Sequence, residues 1–143
     1  MIPELRKKFN SEFTEEKYNN FVNDLNKSLK YPVDFRISET PLFLADDLKN
    51  KLLKACDDLC KQVTDPTFKV EMKDAVPPHL NIPGESDHPE LFVFDFAICQ
   101  NKSTGVYYPK LIELQGFPTL YGYQYFFERK IRHHFHIPEG FTT

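Results

Sequence analysis

The sequence predicts a mixed α/β domain, with α+β as the close variant: N-terminal helices, a hairpin-containing sheet, then a C-terminal helix. Three observations carry this. Apolar residues recur at helical spacing near both ends of the chain. Two apolar runs, Leu91 to Ile98 and Tyr108 to Gln115, flank the turn-forming cluster Gln100 to Gly105. The composition, 143 residues with 41% hydrophobic and 15% aromatic, suits one domain with one core, so residues 1–143 are read as a single domain.

The first expected helix runs from Glu12 to Lys30, with Phe13, Tyr18, Phe21, Val22, Leu25 and Leu29 on its apolar face. Thr14 is a natural N-cap with Glu15 and Glu16 in the first turn, and Tyr31-Pro32 ends the helix. The alternating stretch Val33 to Ile37 is a short strand or an extended arm. A second helix opens at Asp46 and Asp47, carries Leu48, Leu52, Ala55, Cys56, Leu59 and Val63, and closes at Asp65-Pro66. A further strand is expected at Phe68 to Met72. Residues 74–90, with Pro77, Pro78, Pro83, Pro89 and Gly84, read as a long loop.

Leu91 to Ile98 is nearly all apolar, as in a strand covered on both faces, and Tyr108 to Gln115 is its return partner. The last helix spans Pro118 to about Phe135, with Leu120, Tyr121, Tyr125, Ile131 and Phe135 on one face. The visible strands are few, and the chain stops soon after a helix that has left a strand. One reading is therefore the N-terminal part of a longer protein.

Charge and composition exclude several classes. Lys and Arg number 18 against 21 Asp and Glu, a net charge of -3, with no basic field, so binding held by phosphate contacts to nucleic acid is disfavoured. No apolar run reaches the ~18 residues of a membrane span, and the charged N-terminus has no signal-peptide core. Three cysteines, Cys56, Cys60 and Cys99, form neither a disulfide framework nor a zinc-like pairing. Reduced thiols and a cytoplasmic location are expected.

The hairpin holds the strongest chemical signal. Asp95 interrupts one apolar strand and Glu113 the other, and strand parity puts Gln115 on the face of Glu113. If the strands pair, Asp95 lies beside both. Two carboxylates this close repel unless a positive group intervenes, and a hard divalent cation suits oxygen ligands. The bland alternative is a carboxylate paired with Arg36 or Arg129, or one merely solvated. Gln115-Gly116-Phe117-Pro118-Thr119 then leads into the last helix, whose N-terminus would favour an anion.

Val93-Phe94-Asp95-Phe96, a hairpin, and Leu111-Ile112-Glu113-Leu114-Gln115-Gly116-Phe117-Pro118-Thr119 resemble the metal-binding core of glutathionylspermidine synthase and the circularly permuted ATP-grasp proteins. The resemblance spans Leu91 to Arg129. It implies that Asp95, Glu113 and Gln115 hold Mg²⁺ with ATP phosphates, in an ATP-dependent carboxylate–amine ligase. Gln115 stands where the family has Asn, and Val93 where the synthase has Arg. Tyr121 and Arg129 match a Tyr and an Arg of the permuted family more loosely. The Lys-bearing strands and glycine-rich loop that hold ATP are not among these residues. The implied role is thus the substrate-side, metal-binding portion of a ligase-like protein, inactive in isolation, with ATP required only if a downstream domain binds it. Its partners would be a small-molecule substrate or the missing ATP-binding half. Arg36 and Arg129 are the candidates for a substrate anion, Arg36 with a local pair to Glu39 as its alternative.

The same residues resemble the PD-(D/E)xK nuclease core in variants with Gln for Lys, where Asp95 and Glu113 would bind Mg²⁺ and activate water on a phosphodiester. Asp57 and Asp58 could complete such a site. Net acidity and only four arginines oppose it. A third reading is a non-catalytic interaction domain built on the Tyr121 to Phe127 aromatics, although such a run more often packs into a core. His133 and His136, three apart, could hold a transition metal, but complementing the helix dipole is the preferred role. Cys56 and Cys60 are read as core packing.

Overall fold

The computed structural model describes residues 2–86, 89–117 and 120–141. It is a mixed α/β protein with helices at both ends and a two-stranded antiparallel sheet between them. Its internal contacts divide it into two compact units, Met1–Ala45 with Thr119–Thr143, and Asp46–Pro118.

The first unit contains α1 (Pro3–Glu12), α2 (Glu15–Lys27) and α5 (Tyr121–His134). Helix α1 was not expected from sequence, because Leu5 and Phe9 make only a thin stripe among charged residues. Pro3 suits a first helical turn, and Phe9 is buried against Phe43, Phe135 and the rest of the core. Helix α2 starts where its cap predicts: the Thr14 hydroxyl accepts the Lys17 backbone N–H at 3.2 Å. Phe21 is 1% exposed and Leu25 0%. Phe21 meets Phe127 and Phe135 edge-on, with ring centroids at 5.5 and 5.9 Å.

Of the strand or arm expected at Val33 to Ile37, the structure has the arm. It runs on from α2 as irregular extended chain, and three hydrogen bonds pin it. The Val33 N–H donates to Asn26 Oδ1, the Tyr18 hydroxyl to the Ile37 carbonyl, and the Ile2 N–H to the Phe43 carbonyl. Ile37 and Phe43 thereby enter the core.

The second unit opens with α3 (Asp46–Val63), at the predicted bounds. The strand expected at Phe68 to Met72 is instead α4 (Pro66–Glu71). The Asp65 carboxylate accepts the Thr67 N–H at 2.7 Å, and Pro66 occupies the first helical position. The dipeptide that stops α3 therefore also caps its successor, and this local pairing outweighs the alternation of Phe68, Val70 and Met72. The proline-rich stretch contains two single-turn 3₁₀ helices, Lys73–Ala75 and Pro78–Leu80.

Strands β1 (Val93–Gln100) and β2 (Tyr107–Gln115) form the hairpin. Its connection is set by Asn101, whose side chain accepts the N–H groups of Ser103 and Thr104, and by Gly105 at φ +70°. The expectation that β1 is covered on both faces is not met. β1 has one strand neighbour, and none of its residues is fully buried. A two-stranded sheet lacks the layers that would enclose it. Leu48, 1% exposed, is the sole buried residue among the described ones of this unit.

Helix α5 begins at Tyr121; Pro118 and Thr119, expected to start it, lie outside the described residues. The left-handed turn before α5 falls on Leu120, at φ 60°, and not on Gly116. Gly116 serves instead as a close neighbour of Pro89, whose Cβ would lie 3.5 Å from an added methyl. The helix closes at His134, and the extended Phe135 follows.

Candidate functional site

The hairpin register fixes the geometry of the Asp95–Glu113–Gln115 set. Asp95 pairs directly with Glu113, and Val93 with Gln115. Residues opposite one another in an antiparallel pair share a face, so all three oxygen-bearing side chains project from one side. Asp95 and Glu113 are exposed and Gln115 is half-buried. Among the described residues neither carboxylate has an ion pair or hydrogen bond, so neither is locked onto a guanidinium. The opposite face is apolar: Phe94 and Phe96 stack at 6.3 Å, and Phe92 joins the row at 5.9 Å.

One residue of this face is not visible to strand parity. The register slips between Asp95 and Phe96, since Glu113 pairs with Asp95 but Leu111 pairs with Phe96. Ile112 is the extra residue of a β-bulge, and it is 68% exposed. Beyond the bulge Lys110 pairs with Ala97, two residues along from Asp95. Lys110 therefore shares the carboxylate face, whereas a regular strand would have placed it opposite Glu113. The available signal was the doublet Leu111-Ile112, which breaks the alternation between Lys110 and Glu113.

The two arginines belong to the first unit and the hairpin residues to the second. The Arg36 guanidinium, 82% exposed, pairs with the Glu39 carboxylate at 2.6 Å, the local alternative anticipated for it. That pairing raises the Arg36 pKa and lowers that of Glu39. Arg129 is exposed on α5, with no ion pair among the described residues. Tyr121 is exposed at the start of the same helix. On α3 Asp58 is held by Lys54 at 2.8 Å, which lowers its pKa, so it is already engaged.

His133 and His136 line different clefts, while the rings of His133 and His134 meet edge-on at 5.0 Å. His134 contacts Asp24 at 3.1 Å, His133 lines a cleft beside Asp24 and Arg129, and His136 lies past the helix end near Leu5, Phe9 and Phe43. The end of α5 at His134 removes the shared helical face that a His133–His136 metal pair needs. Arg132, His133 and His134 lie in the last turn, where the helix dipole favours cations. Among the described residues no group of three or more His, Cys, Asp and Glu is placed to hold a metal; the hairpin brings together two carboxylates and the amide of Gln115. The three cysteines are free thiols, and burial raises that of Cys56.

The donor set of the hairpin fits a hard cation. Two carboxylates and an amide oxygen on one open face leave room for water and phosphate, the habit of Mg²⁺. Among the described residues no helix is long and apolar enough to cross a membrane. Comparison with family models, curated proteins and solved structures finds no match for this chain.

Proposed function

We propose that the β1–β2 hairpin is the divalent-cation site of a protein acting on phosphate-bearing ligands. Asp95, Glu113 and Gln115 supply oxygen ligands to Mg²⁺. The reading takes the chain as the metal-binding, substrate-side portion of an ATP-grasp-like carboxylate–amine ligase, with Arg36 or Arg129 serving a substrate anion. One observation carries it: Asp95 and Glu113 stand directly opposite each other on an exposed strand face, with no ion pair to either among the described residues. Like charges opposite each other destabilise a hairpin, and a cation bound between them reverses that sign.

The test is paramagnetic broadening by Mn²⁺ as a stand-in for Mg²⁺. Amide signals of 93–97 and 113–115 are expected to broaden first, and Mg²⁺ to reverse the effect. The double variant Asp95→Asn with Glu113→Gln is expected to lose it. Broadening that spares the hairpin, or that persists in the double variant, refutes the site.

Lys110 favours a second reading, Mg²⁺-dependent phosphodiester hydrolysis of the PD-(D/E)xK kind. An ammonium on the carboxylate face can stabilise charge that develops on a phosphoryl oxygen. Nicking of supercoiled DNA that needs Mg²⁺ and disappears in both Asp95→Ala and Lys110→Met would support it. A chain that binds Mg²⁺ but leaves DNA intact returns the ligase reading. A chain that does neither is an interaction module.

A further inference from the structure

A second polar site, independent of the hairpin, lies in the first unit. A cleft of about 460 Å³ opens between α2 and α5, lined by Asp24, Ser28, Phe126, Arg129, Lys130 and His133. The charges in its wall are unequally committed. The Asp24 carboxylate accepts from the Lys130 ammonium at 2.8 Å and lies 3.1 Å from His134 Nε2. Those two contacts hold the Asp24 carboxyl below its ordinary range, so it stays anionic and occupied. The Ser28 hydroxyl donates to the Asp24 carbonyl at 3.0 Å.

Arg129 and His133 are less committed, His133 meeting the His134 ring edge-on at 5.0 Å. They are four residues apart on α5, hence neighbours on one helix face, and neither has an ion pair or hydrogen bond among the described residues. Glu128, beside Arg129 in sequence, pairs with Arg132 at 3.1 Å and does not neutralise it. The cleft thus carries a guanidinium with no ion pair among the described residues, an imidazole within reach of the same ligand, and a carboxylate already engaged by Lys130 and His134. Such a set attracts an anion, and a planar guanidinium fork matches phosphate oxygens in pairs.

The remaining wall is the ring of Phe126, over which the Lys130 ammonium sits 5.5 Å from the centroid. The volume is several times what a bare phosphate needs, and the part of the half-buried ring that Lys130 and the core leave uncovered offers an apolar surface to whatever the phosphate carries. We propose that this cleft binds a small aromatic phosphomonoester, with its phosphate on Arg129 and His133 and its ring against Phe126. The site uses none of the hairpin's cation ligands but gives a ligand to Arg129, the residue proposed above for a substrate anion; its failure would remove that role from Arg129 and leave the Mg²⁺ site untouched.

The test uses the full chain and two probes, phenyl phosphate and inorganic phosphate, followed by amide and imidazole shifts in two-dimensional NMR. Phenyl phosphate is expected to shift Phe126, Arg129 and His133 saturably, and to bind more tightly than inorganic phosphate. Arg129→Gln removes the charge and the guanidinium fork while keeping a polar, helix-compatible side chain, and is expected to weaken phenyl phosphate about tenfold or more, the cost of one charged hydrogen bond. Retained chemical shifts elsewhere in α2 and α5 would show that the variant is folded. Equal affinity for the two probes, unchanged affinity in Arg129→Gln, or shifts located outside the cleft would each overturn the proposal.

Discussion

Replacing Glu113 with Lys makes the sharpest test of the hairpin's electrostatics. Asp95 and Glu113 are direct cross-strand partners, so their Cβ atoms stand about 5 Å apart. Two like unit charges at that distance in water repel by about 0.8 kcal/mol, and physiological salt screens this to about 0.4. Both groups are exposed, so no larger figure applies. Glu113→Lys turns the repulsion into attraction of similar size, a net gain of about 0.8 kcal/mol, or roughly fourfold in the local opening equilibrium. Repulsion from Lys110, one pair along on the same face, trims that gain.

The assay is hydrogen exchange of the strand amides in the presence of EDTA, where protection in β1 and β2 is expected to rise up to fourfold. Mg²⁺ should protect the wild-type hairpin and leave the variant unaffected. At ten times its dissociation constant a ligand stabilises the state that binds it by about 1.4 kcal/mol. The wild-type hairpin should gain that protection and Glu113→Lys should gain none. Lower protection of the variant in EDTA, or an equal response of both proteins to Mg²⁺, would refute the argument from opposed carboxylates.

Two further outcomes concern the first unit. Phe21→Ala removes a ring that is 1% exposed and touches Tyr18, Phe127, His134 and Phe135, and is expected to cost about 3–5 kcal/mol in urea unfolding. A loss no larger than that of Leu53→Ala, at a site 56% exposed, would contradict the assignment of the core. Asp24 titrates below its ordinary value because Lys130 and His134 bind its charged form. The unfolded chain therefore takes up this proton first on acidification. The stability Asp24 contributes is complete above the ordinary Asp pKa of about 3.9 and is lost as pH falls toward the depressed folded value. Asp24→Asn should flatten that acid limb of the stability profile, and an unchanged limb would show that the bridge from α2 to α5 carries no linkage.

Much of the architecture was legible because short-range chemistry specifies it. Thr14 caps α2, Asp46 and Asp65-Pro66 bracket α3, and the Asn101–Gly105 turn closes the hairpin. In each case the deciding group lies within a few residues of the backbone it satisfies. The same locality explains the misread strand at Phe68 to Met72, where an alternating pattern was weighed above an N-cap. Helix α1 escaped notice because what stabilises it is Phe9 packed on Phe43 and Phe135, far away in sequence. The hairpin set was half legible. Parity put Glu113 and Gln115 together, and pairing added Asp95, but the bulge at Ile112 that brings Lys110 to the same face is a property of the register.

From its sequence alone the chain determined a mixed α/β fold, the positions of α2, α3, α5 and both strands, and the two strand carboxylates most in need of an explanation. Tertiary structure decided who neutralises whom. It gave Asp24 to Lys130 and His134 across more than a hundred residues, and left Asp95, Glu113 and Arg129 without partners among the described residues. The physical reason is range. Caps, turns and periodicity act within a turn or two of backbone, whereas the charge environment of a side chain is set by whichever elements pack beside it. That packing is settled only when the whole chain has closed its loops.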